Sequence, residues 1–367
     1  MKVGIFSHPL ATNYGGNLQA WALQTVLERM GHDVRIFGLK QNKRSDWLIP
    51  LVWLKRFINK YAFNKKIDIF AERKKNKRFS RLFSKPYSFV LNNIHEQKLK
   101  SLSKIPTHDF DLIITGSDQV WRKEYINYLW HTTDVSEAFL YNISNVKKIA
   151  YAASIGVDEW EFTAKETQKI SKALHDFDAI SVRELSAIEL LKDHTNCSAI
   201  HTLDPTMLLL PEDYFSLLNL PDRNCGGGLV SYILDPDTRS DRFIQTVKNA
   251  KRLPHRELNI MDEITPRLSV EEWVAGIAGA DFVVTDSFHG CVFSLIFNKP
   301  FVCIGNSTRG NTRFDSLIET FKISRNFITK IEDFDLNYSY IPPQSIQDKL
   351  MALRVESLQF LRNAINS

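Results

Sequence analysis

The stretch that decides the fold is Asp281–Gly290, DFVVTDSFHG, an apolar run that turns polar at its end and delivers His289. Phe282, Val283 and Val284 have the pattern of a buried parallel strand, because strands covered on both faces are continuously apolar. Open α/β sheets bind ligands just beyond the carboxyl ends of their strands. His289 therefore stands where a ligand site is expected.

The same pattern occurs twice earlier in the chain. Asp111–Asp118, DLIITGSD, and Asp178–Glu184, DAISVRE, each open with an aspartate, run through apolar residues and end in charged groups. They deliver Asp118 and Arg183. A carboxylate, a guanidinium and an imidazole at three strand ends can bind an anion and move a proton. Taken singly, each is also consistent with a helix cap, a surface ion pair or a satisfied histidine.

The length and composition indicate a globular protein of two domains. A chain of 367 residues exceeds one typical core. Hydrophobic residues make up 44% and charged residues 24%, and no apolar run reaches the roughly 18 to 20 residues that span a bilayer. The amino terminus lacks the pattern of a signal peptide. Four cysteines without CxxC spacing favour reduced structural thiols and a cytoplasmic location.

Strand and helix patterns alternate along the chain, so we predict two doubly wound, Rossmann-like α/β domains that face a central cleft. The first spans residues 1–210 and carries a basic insert at 45–90. The second, expected to bind the donor, spans 211–340, and a helix over 341–367 can pack back on the first. The best linker candidate is Gly226–Gly228.

The first βαβ unit contains a second candidate ligand site. A strand at Lys2–Phe6 leads through the loop His8–Gly16 into a helix from about Asn17 to Met30. The loop and helix start contain Asn13, Tyr14, Gly15, Gly16 and Asn17. Paired glycines let the backbone approach a ligand above a helix amino terminus. A plain turn is the alternative.

The net charge of +5 is distributed unevenly. Trp53–Lys85 contains twelve basic and two acidic residues, a local charge of +10, so the remainder carries −5. A local patch implies a local anionic partner. Trp47–Phe63 adds aromatic and aliphatic residues among the lysines, which is typical of segments that contact an anionic membrane surface. A helical flap with a solvated charged face is the alternative.

Several other chemistries find no support in the sequence. Four DxD matches make each one uninformative as a metal site, and zinc spacing and phosphate-loop motifs are missing. We expect no metal and no nucleic-acid partner. The segment Gly305–Phe314 carries Asn306, Arg309 and Arg313 before a predicted helix. It suits a phosphate or carboxylate, although a solvated loop is the alternative.

Seven segments together resemble the polysaccharide pyruvyl transferase family. They are NYGGNLQAWALQ at 13–24, DLIITGSDQVW at 111–121, AYAASIG at 150–156, AISVRE at 179–184, LDPTMLL at 203–209, DSFHGCVFSLIFNKPFV at 286–302 and RGNTRFDSL at 309–317. The resemblance implies a fold similar to B-type glycosyltransferases. It also implies transfer of pyruvate from the co-substrate phosphoenolpyruvate to a sugar, which forms a cyclic ketal and releases phosphate without a further cofactor.

By this resemblance, Arg183 and His289 fall on positions that hold and activate the donor. Some members carry an arginine two residues before this histidine, where Ser287 stands here, so we expect Arg313 or Arg309 to supply the cation. Protonated His289 would then be the general acid. Asp118 would accept the proton of the attacking hydroxyl.

The remaining expectations concern the acceptor. Asn13 to Asn17 and Trp121, whose ring can stack on a sugar, are the acceptor candidates. In capsule or wall synthesis such sugars are commonly built on a membrane-bound lipid carrier, which fits peripheral contact of the basic insert with the inner face of the plasma membrane. Two other functions stay open. They are a nucleotide-sugar glycosyltransferase of the same fold and a non-catalytic sugar- or anion-binding protein.

Overall fold

The computed structural model describes residues 1–10, 12–39, 71–130, 132–217, 219, 227–305, 312–335 and 337–367. Within these residues two sheets form, and every strand pairing is parallel. The two sheets draw on separate parts of the chain. This arrangement confirms the predicted fold class.

The first sheet has the strand order β3-β2-β1-β4-β5-β6-β7. Its strands are β1 (Lys2–Phe6), β2 (Asp33–Leu39), β3 (Glu96–Leu99), β4 (Leu112–Thr115), β5 (Lys147–Ala153), β6 (Ala179–Val182) and β7 (Ile200–His201). The order reverses between β1 and β4, which pair from Val3 with Leu112 to Phe6 with Thr115. A crevice opens at such a switch point.

The second sheet has the strand order β12-β11-β10-β8-β9. Its strands are β8 (Leu229–Tyr232), β9 (His255–Glu257), β10 (Phe282–Thr285), β11 (Phe301–Ile304) and β12 (Phe327–Ile328). Here the order reverses between β8 and β10. Asp286, just after β10, spans this switch point by accepting hydrogen bonds from the backbone N–H groups of Leu234 and Asp235.

Helices connect the strands and cover the sheets. They are α1 (Tyr14–Arg29), α2 (Ala71–Leu82), α3 (Ser84–Asn93), α4 (Lys123–Trp130), α5 (Ala164–Leu174), α6 (Leu185–Thr195), α7 (Pro211–Leu217), α8 (Thr238–Lys251), α9 (Val270–Ala278), α10 (Phe288–Ile296), α11 (Thr312–Phe321) and α12 (Gln344–Asn366). Among the described residues, no helix combines the length and the apolar character needed to cross a membrane.

One apolar core is continuous between the two sheets. It joins residues of β1 and α1 to residues of α9, α10 and β10. Tyr14, at the start of α1, stacks on Trp273 of α9 with ring centroids 5.6 Å apart and donates a hydrogen bond of 2.8 Å to the carbonyl of Leu268. The amino end of α1 is therefore held against the second sheet's helices, which fixes the cleft between the sheets.

The carboxyl-terminal helix α12 returns to the first sheet. Arg354 donates a 2.8 Å hydrogen bond to the carbonyl of Met207, and Ser357 accepts one from the backbone of Leu203. These contacts clamp the segment after β7, which carries Asp204. The boundaries drawn at residues 210 and 340 remain predictions. Part of the basic insert, residues 45–70, and Gly226 of the linker lie outside the described residues.

Candidate active site

Five charged or titratable side chains meet where the strand ends of the two sheets face each other. In the first sheet His8 follows β1, Asp118 follows β4, Arg183 follows β6 and Asp204 follows β7, and in the second His289 follows β10. They form an alternating network of four contacts. These are His8 Nδ1–Asp118 Oδ2 at 3.3 Å, Asp118 Oδ1–Arg183 Nη2 at 3.9 Å, Arg183 Nη1–Asp204 Oδ2 at 3.0 Å and Asp204 Oδ2–His289 Nε2 at 3.7 Å. The structure thus brings the predicted Asp118, Arg183 and His289 together.

Asp118 occupies an unusual backbone conformation, with φ at +79°. Such a conformation costs about 1–3 kcal/mol in a non-glycine residue and persists only where the surroundings hold it. Here an isolated bridge to Ala153 of β5 and a hydrogen bond from the Gln119 N–H to the carboxylate hold it in place. Burial alone would raise the pKa of Asp118, but His8, Arg183 and His289 hold it well below its usual range. Asp118 is therefore an ionised carboxylate.

Arg183 is buried and surrounded by carboxylates. Besides Asp118 and Asp204, Glu184 lies 3.5 Å from its Nε. Burial alone would lower the pKa of Arg183, but Glu184, Asp204 and Asp118 raise it. Its guanidinium contacts the ring of Phe288, 4.8 Å from the ring centroid. The charge of Arg183 is thus compensated within the protein.

His289 lies in the first turn of α10, and the Ser287 hydroxyl caps that helix by accepting a hydrogen bond from the Gly290 N–H at 3.4 Å. Gly15 of α1 lies against its imidazole so closely that a Cβ at position 15 would come within 2.0 Å of His289 Nδ1. Glycine is needed here because the backbone approaches a ring. The other nitrogen, Nε2, faces Asp204 at 3.7 Å, which is too long for a hydrogen bond.

Arg313 is half-buried in the first turn of α11 and differs from Arg183 in its surroundings. Among the described residues no carboxylate pairs with it, and its guanidinium lies 5.7 Å from the Phe288 ring centroid. Burial and the nearby charge of Arg183 lower the pKa of Arg313 to about 10. It is still cationic at neutral pH, and an anion placed beside it would be stabilised.

Besides His8 Nε2, three buried nitrogens at this site lack a hydrogen-bond partner among the described residues. They are Arg183 Nη2, His289 Nε2 and Arg313 Nε. Buried donors are normally paired, and each unpaired one costs about 1–3 kcal/mol. Their proximity indicates a site for an oxyanion.

A cavity of about 290 Å³ opens beside this cluster. Its wall includes His8, Asp118, Ser287, Phe288, His289 and Arg313, and it also includes Asn13, Gly15, Tyr125, Tyr128 and Leu129. Arg313 is the one lysine or arginine among these described wall residues. Arg183 lies deeper, on a separate cavity of about 20 Å³ that it shares with Phe288 and Arg313. Arg183 therefore supports the wall, whereas Arg313 forms part of it.

The acceptor candidates divide into two groups. Asn13 and Gly15 line the cavity, and a Cβ on Gly16 would lie 3.6 Å from the carboxylate of Asp118. Tyr14 and Asn17 are buried. Trp121 was expected at a sugar but has no exposed surface, because its ring stacks on Phe139 within the core on the other face of the first sheet. The sequence places it after a strand end, where core and site residues look alike.

Two donor candidates cannot be located. Asn306 and Arg309 lie in the segment 306–311, outside the described residues. Sequence reasoning also missed His8 and Asp204. His8 follows a strand as His289 does, so the same strand-end rule would have found it. Asp204 lies in the LDPTMLL segment at 203–209, which contributes to the family resemblance but whose local sequence indicates no chemical role for this aspartate.

Comparisons with known proteins identify the family of this chain. The sequence matches the model of the polysaccharide pyruvyl transferase family over residues 13–308. The chain belongs to this family. It is therefore a transferase of polysaccharide biosynthesis with a role in pyruvyl transfer, and a polysaccharide is its acceptor class. Among curated proteins, none matches its sequence.

Solved structures similar to this family member share low sequence identity with it. A functionally uncharacterized protein from Klebsiella pneumoniae has 12% identity and a TM-score of 0.43, over 89% of this chain and 93% of that one. A glycosyltransferase from Rickettsia africae has 10% identity and a TM-score of 0.45, over 99% and 93%. The Arabidopsis thaliana protein UGT89C1, complexed with UDP-L-rhamnose, has 12% identity and a TM-score of 0.46, over 100% and 97%.

Proposed function

We propose that this protein transfers pyruvate from phosphoenolpyruvate to a sugar of a polysaccharide or lipid-linked oligosaccharide precursor, forming a cyclic ketal and releasing phosphate. The observation that carries the proposal is Arg313, an uncompensated guanidinium in the cavity wall next to His289. Phosphoenolpyruvate brings two oxyanions, and a guanidinium fork pairs well with either. Arg313 thus takes the part of the cation that Ser287 does not supply.

The reaction needs an acid at the donor carbon. The first sugar hydroxyl bonds to C2 of phosphoenolpyruvate while C3 takes a proton and becomes a methyl group. His289 supplies that proton, because an imidazolium can act as an acid near neutral pH and Asp204 lies beside it. The C2–O bond to phosphate then breaks, and the second hydroxyl bonds to C2 to close the ring.

Arg313 and Arg183 have different roles in the proposed reaction. Arg313 contacts the donor from the cavity wall. Arg183 supports it from behind, where Asp204 and Glu184 hold its guanidinium against Phe288. The cationic Arg313 stabilises the charge that collects on the departing phosphate. The acceptor approaches from the side of Asn13 and Tyr128, where the wall is aromatic and open.

We place the protein in the cytoplasm, in contact with an anionic membrane surface that presents the acceptor. Helix α2 is basic, and its Arg78 pairs with Glu263 while its Arg81 donates to the Glu263 carbonyl. The residues that flank this contact, Met261 and Ile264, are 56% and 76% exposed. Exposed apolar side chains beside a basic helix match the requirements of an interfacial contact.

Acceptor-dependent phosphate release tests the function. The protein is incubated with phosphoenolpyruvate and a panel of lipid-linked galactosides and N-acetylhexosamines, and inorganic phosphate is measured. We expect release only when donor and acceptor are both present. The alternative, a nucleotide-sugar glycosyltransferase, would instead release a nucleoside diphosphate from a nucleotide sugar and no phosphate from phosphoenolpyruvate. Binding of sugars without turnover of either donor would identify a non-catalytic protein.

A further inference from the structure

His8 is a component of the cleft that the proposed chemistry has not yet used. It follows β1 at the switch point of the first sheet, and its side chain is 11% exposed. Its Nδ1 lies 3.3 Å from Asp118 Oδ2, and the ring of Tyr125 meets it edge-on at 5.8 Å. Like His289, it forms part of the wall of the 290 Å³ cavity.

The neighbouring carboxylate determines which nitrogen of His8 carries a proton. Asp118 is ionised, since its pKa is held well below the usual range, so its oxygens only accept hydrogen bonds. The Nδ1 that faces it therefore carries the hydrogen. In the neutral ring this leaves the lone pair on Nε2, a buried nitrogen that has no partner among the described residues.

We propose that His8 Nε2 takes the proton of the attacking sugar hydroxyl, and that Asp118 positions His8 and stabilises the imidazolium that forms. This inference rests on the proposed function and deepens it. An ionised carboxylate of depressed pKa is a weak proton acceptor, whereas an imidazole backed by a carboxylate is an effective one. Asp118 thus changes from the predicted base to a positioning residue.

The two histidines balance the protons of the reaction. As the first O–C bond forms, the hydroxyl proton moves to His8 and the proton of His289 moves to C3. Protonated His8 then gives its proton to the phosphate as the C2–O bond breaks. Neutral His289 takes the proton of the second hydroxyl as the ring closes, which restores both imidazoles to their starting states.

Each of the two histidines faces a different carboxylate. Asp118 serves His8 from the end of β4, and Asp204 serves His289 from the segment after β7. Arg183 contacts both carboxylates and separates them. The alternating network therefore joins a base from the first sheet to an acid from the second.

The decisive variant is His8→Asn. An asparagine amide N–H can replace the Nδ1–H that donates to Asp118, but it provides no basic nitrogen at the position of Nε2. We expect His8→Asn to bind phosphoenolpyruvate, measured by calorimetry, as wild type does. We expect its turnover, measured as acceptor-dependent phosphate release, to fall by about 10²- to 10⁴-fold.

His108, which is 82% exposed, is the matched control, and His108→Asn should keep wild-type turnover. Thermal unfolding of His8→Asn and of a second variant, His8→Gln, checks that the loss is chemical, and we expect both to unfold as wild type does. Asp118→Asn should also lose turnover, and Asp118→Glu should recover part of it because it retains a carboxylate. Loss of folding in both His8 variants would make His8 structural and overturn the inference.

The possible outcomes distinguish failure of the role of His8 from failure of the proposed function. Wild-type turnover with phosphoenolpyruvate together with near wild-type turnover of His8→Asn would overturn the role of His8 and leave the proposed function intact. Failure of the wild-type protein to release phosphate with any acceptor, or to bind phosphoenolpyruvate, would overturn both.

Discussion

At the residue scale, the cleft contains two arginines with opposite surroundings. Arg183 has Asp118, Glu184 and Asp204 within 4 Å, whereas Arg313 has no carboxylate partner among the described residues. A compensated guanidinium organises the site, and an uncompensated one attracts an anion. The contrast supports the proposal that Arg313 is the main donor-binding residue.

Replacing Arg313 by glutamine should weaken donor binding strongly. A hydrogen bond to a charged group contributes about 1.5–3 kcal/mol, which corresponds to about 10- to 150-fold in the dissociation constant. Titration calorimetry with phosphoenolpyruvate measures the change. Arg325→Gln is the control, because that exposed arginine lies over Tyr338 near β12. Equal affinities of Arg313→Gln and wild type would contradict the assignment.

Asp204 is expected to stabilise the fold in a pH-dependent manner. Burial alone would raise the pKa of Asp204, but His289 and Arg183 hold it well below 3.8. The pKa of an aspartate in the unfolded chain is about 3.9, and Asp204 contributes its full stabilisation when the pH is above that value. The stabilisation is lost as the pH falls through the lower pKa that Asp204 has in the folded protein. Since one partner of a buried pair is removed, Asp204→Asn should lower the free energy of unfolding near neutral pH by about 3–5 kcal/mol.

Urea denaturation over a pH series measures this effect. The difference in the free energy of unfolding between wild type and Asp204→Asn should be constant at neutral pH and should decrease only below about pH 4. The exposed Asp193→Asn is the control and should stay within about 0.5 kcal/mol of wild type. A difference in unfolding free energy that increases as the pH falls would contradict the claim that ionised Asp204 stabilises the fold.

At the element scale, the site depends on the contact between the first turns of α1 and α10. Tyr14 anchors α1 on Trp273, and the next residue, Gly15, leaves room for the ring of His289. The Ser287 cap orients the start of α10. The positions of these helices therefore determine where His289 lies in the cleft.

A methyl group at position 15 should displace His289. The Cβ of Gly15→Ala would lie 2.0 Å from Nδ1, so the imidazole or the helix must move. A shift of about 1 Å can cost about 10²-fold in rate, which acceptor-dependent phosphate release will detect. The destabilisation seen in urea should shrink in the background of His289→Ala, because the clashing ring is gone. If Gly15→Ala destabilises the His289→Ala protein as much as it destabilises wild type, the contact between position 15 and the His289 ring is contradicted.

At the scale of the whole molecule, two parallel sheets present their switch points to one cleft, and a basic surface lies on the same chain. The described part of that surface consists of α2 and the adjoining Met261–Ile264. In the proposed mechanism, the first sheet contributes the base, His8, and the second contributes the acid, His289. We propose that the cleft binds the donor while α2 contacts the membrane.

Membrane contact should depend on both charge and apolar exposure. Co-sedimentation with phosphatidylcholine vesicles should increase when phosphatidylserine is included, because each basic residue near an anionic surface contributes about 1 kcal/mol. The double variant Met261→Ser, Ile264→Ser and the variant Lys77→Glu should each reduce binding. Val355→Ser, which removes an exposed side chain of α12, should not. Binding that is independent of phosphatidylserine would contradict the idea.

Much of this architecture could be predicted from the sequence. Strands β1, β4, β6, β10 and β11 are short apolar runs bounded by polar residues, so their positions along the chain and their ends could be predicted. The edge strands β3, β7 and β12 have two to four residues and no distinctive pattern, and they were missed. The edge strand β9 forms at His255–Glu257, whose sequence HRE has no apolar strand pattern. There it pairs with β8 through polar residues.

The site was predictable where a residue directly follows a strong strand. Asp118, Arg183 and His289 satisfy that rule. Asp204 follows the two-residue β7 and could not be recognised by it. Two features depend on the order of strands in the first sheet. They are the contact of His8 with Asp118 and the compensation of the Arg183 charge by nearby carboxylates. Local sequence does not encode such pairings between distant segments.

The most direct test of the central claim is the mass of the acceptor after reaction with phosphoenolpyruvate in deuterium oxide. Transfer by protonation of C3 predicts an acceptor that gains a pyruvate ketal with a deuterium atom in its methyl group, together with one phosphate released per ketal. The His289→Ala protein should form this product far more slowly. An acceptor that gains a phosphate, an enol ether that retains its methylene hydrogens, or turnover undiminished in His289→Ala would contradict the account.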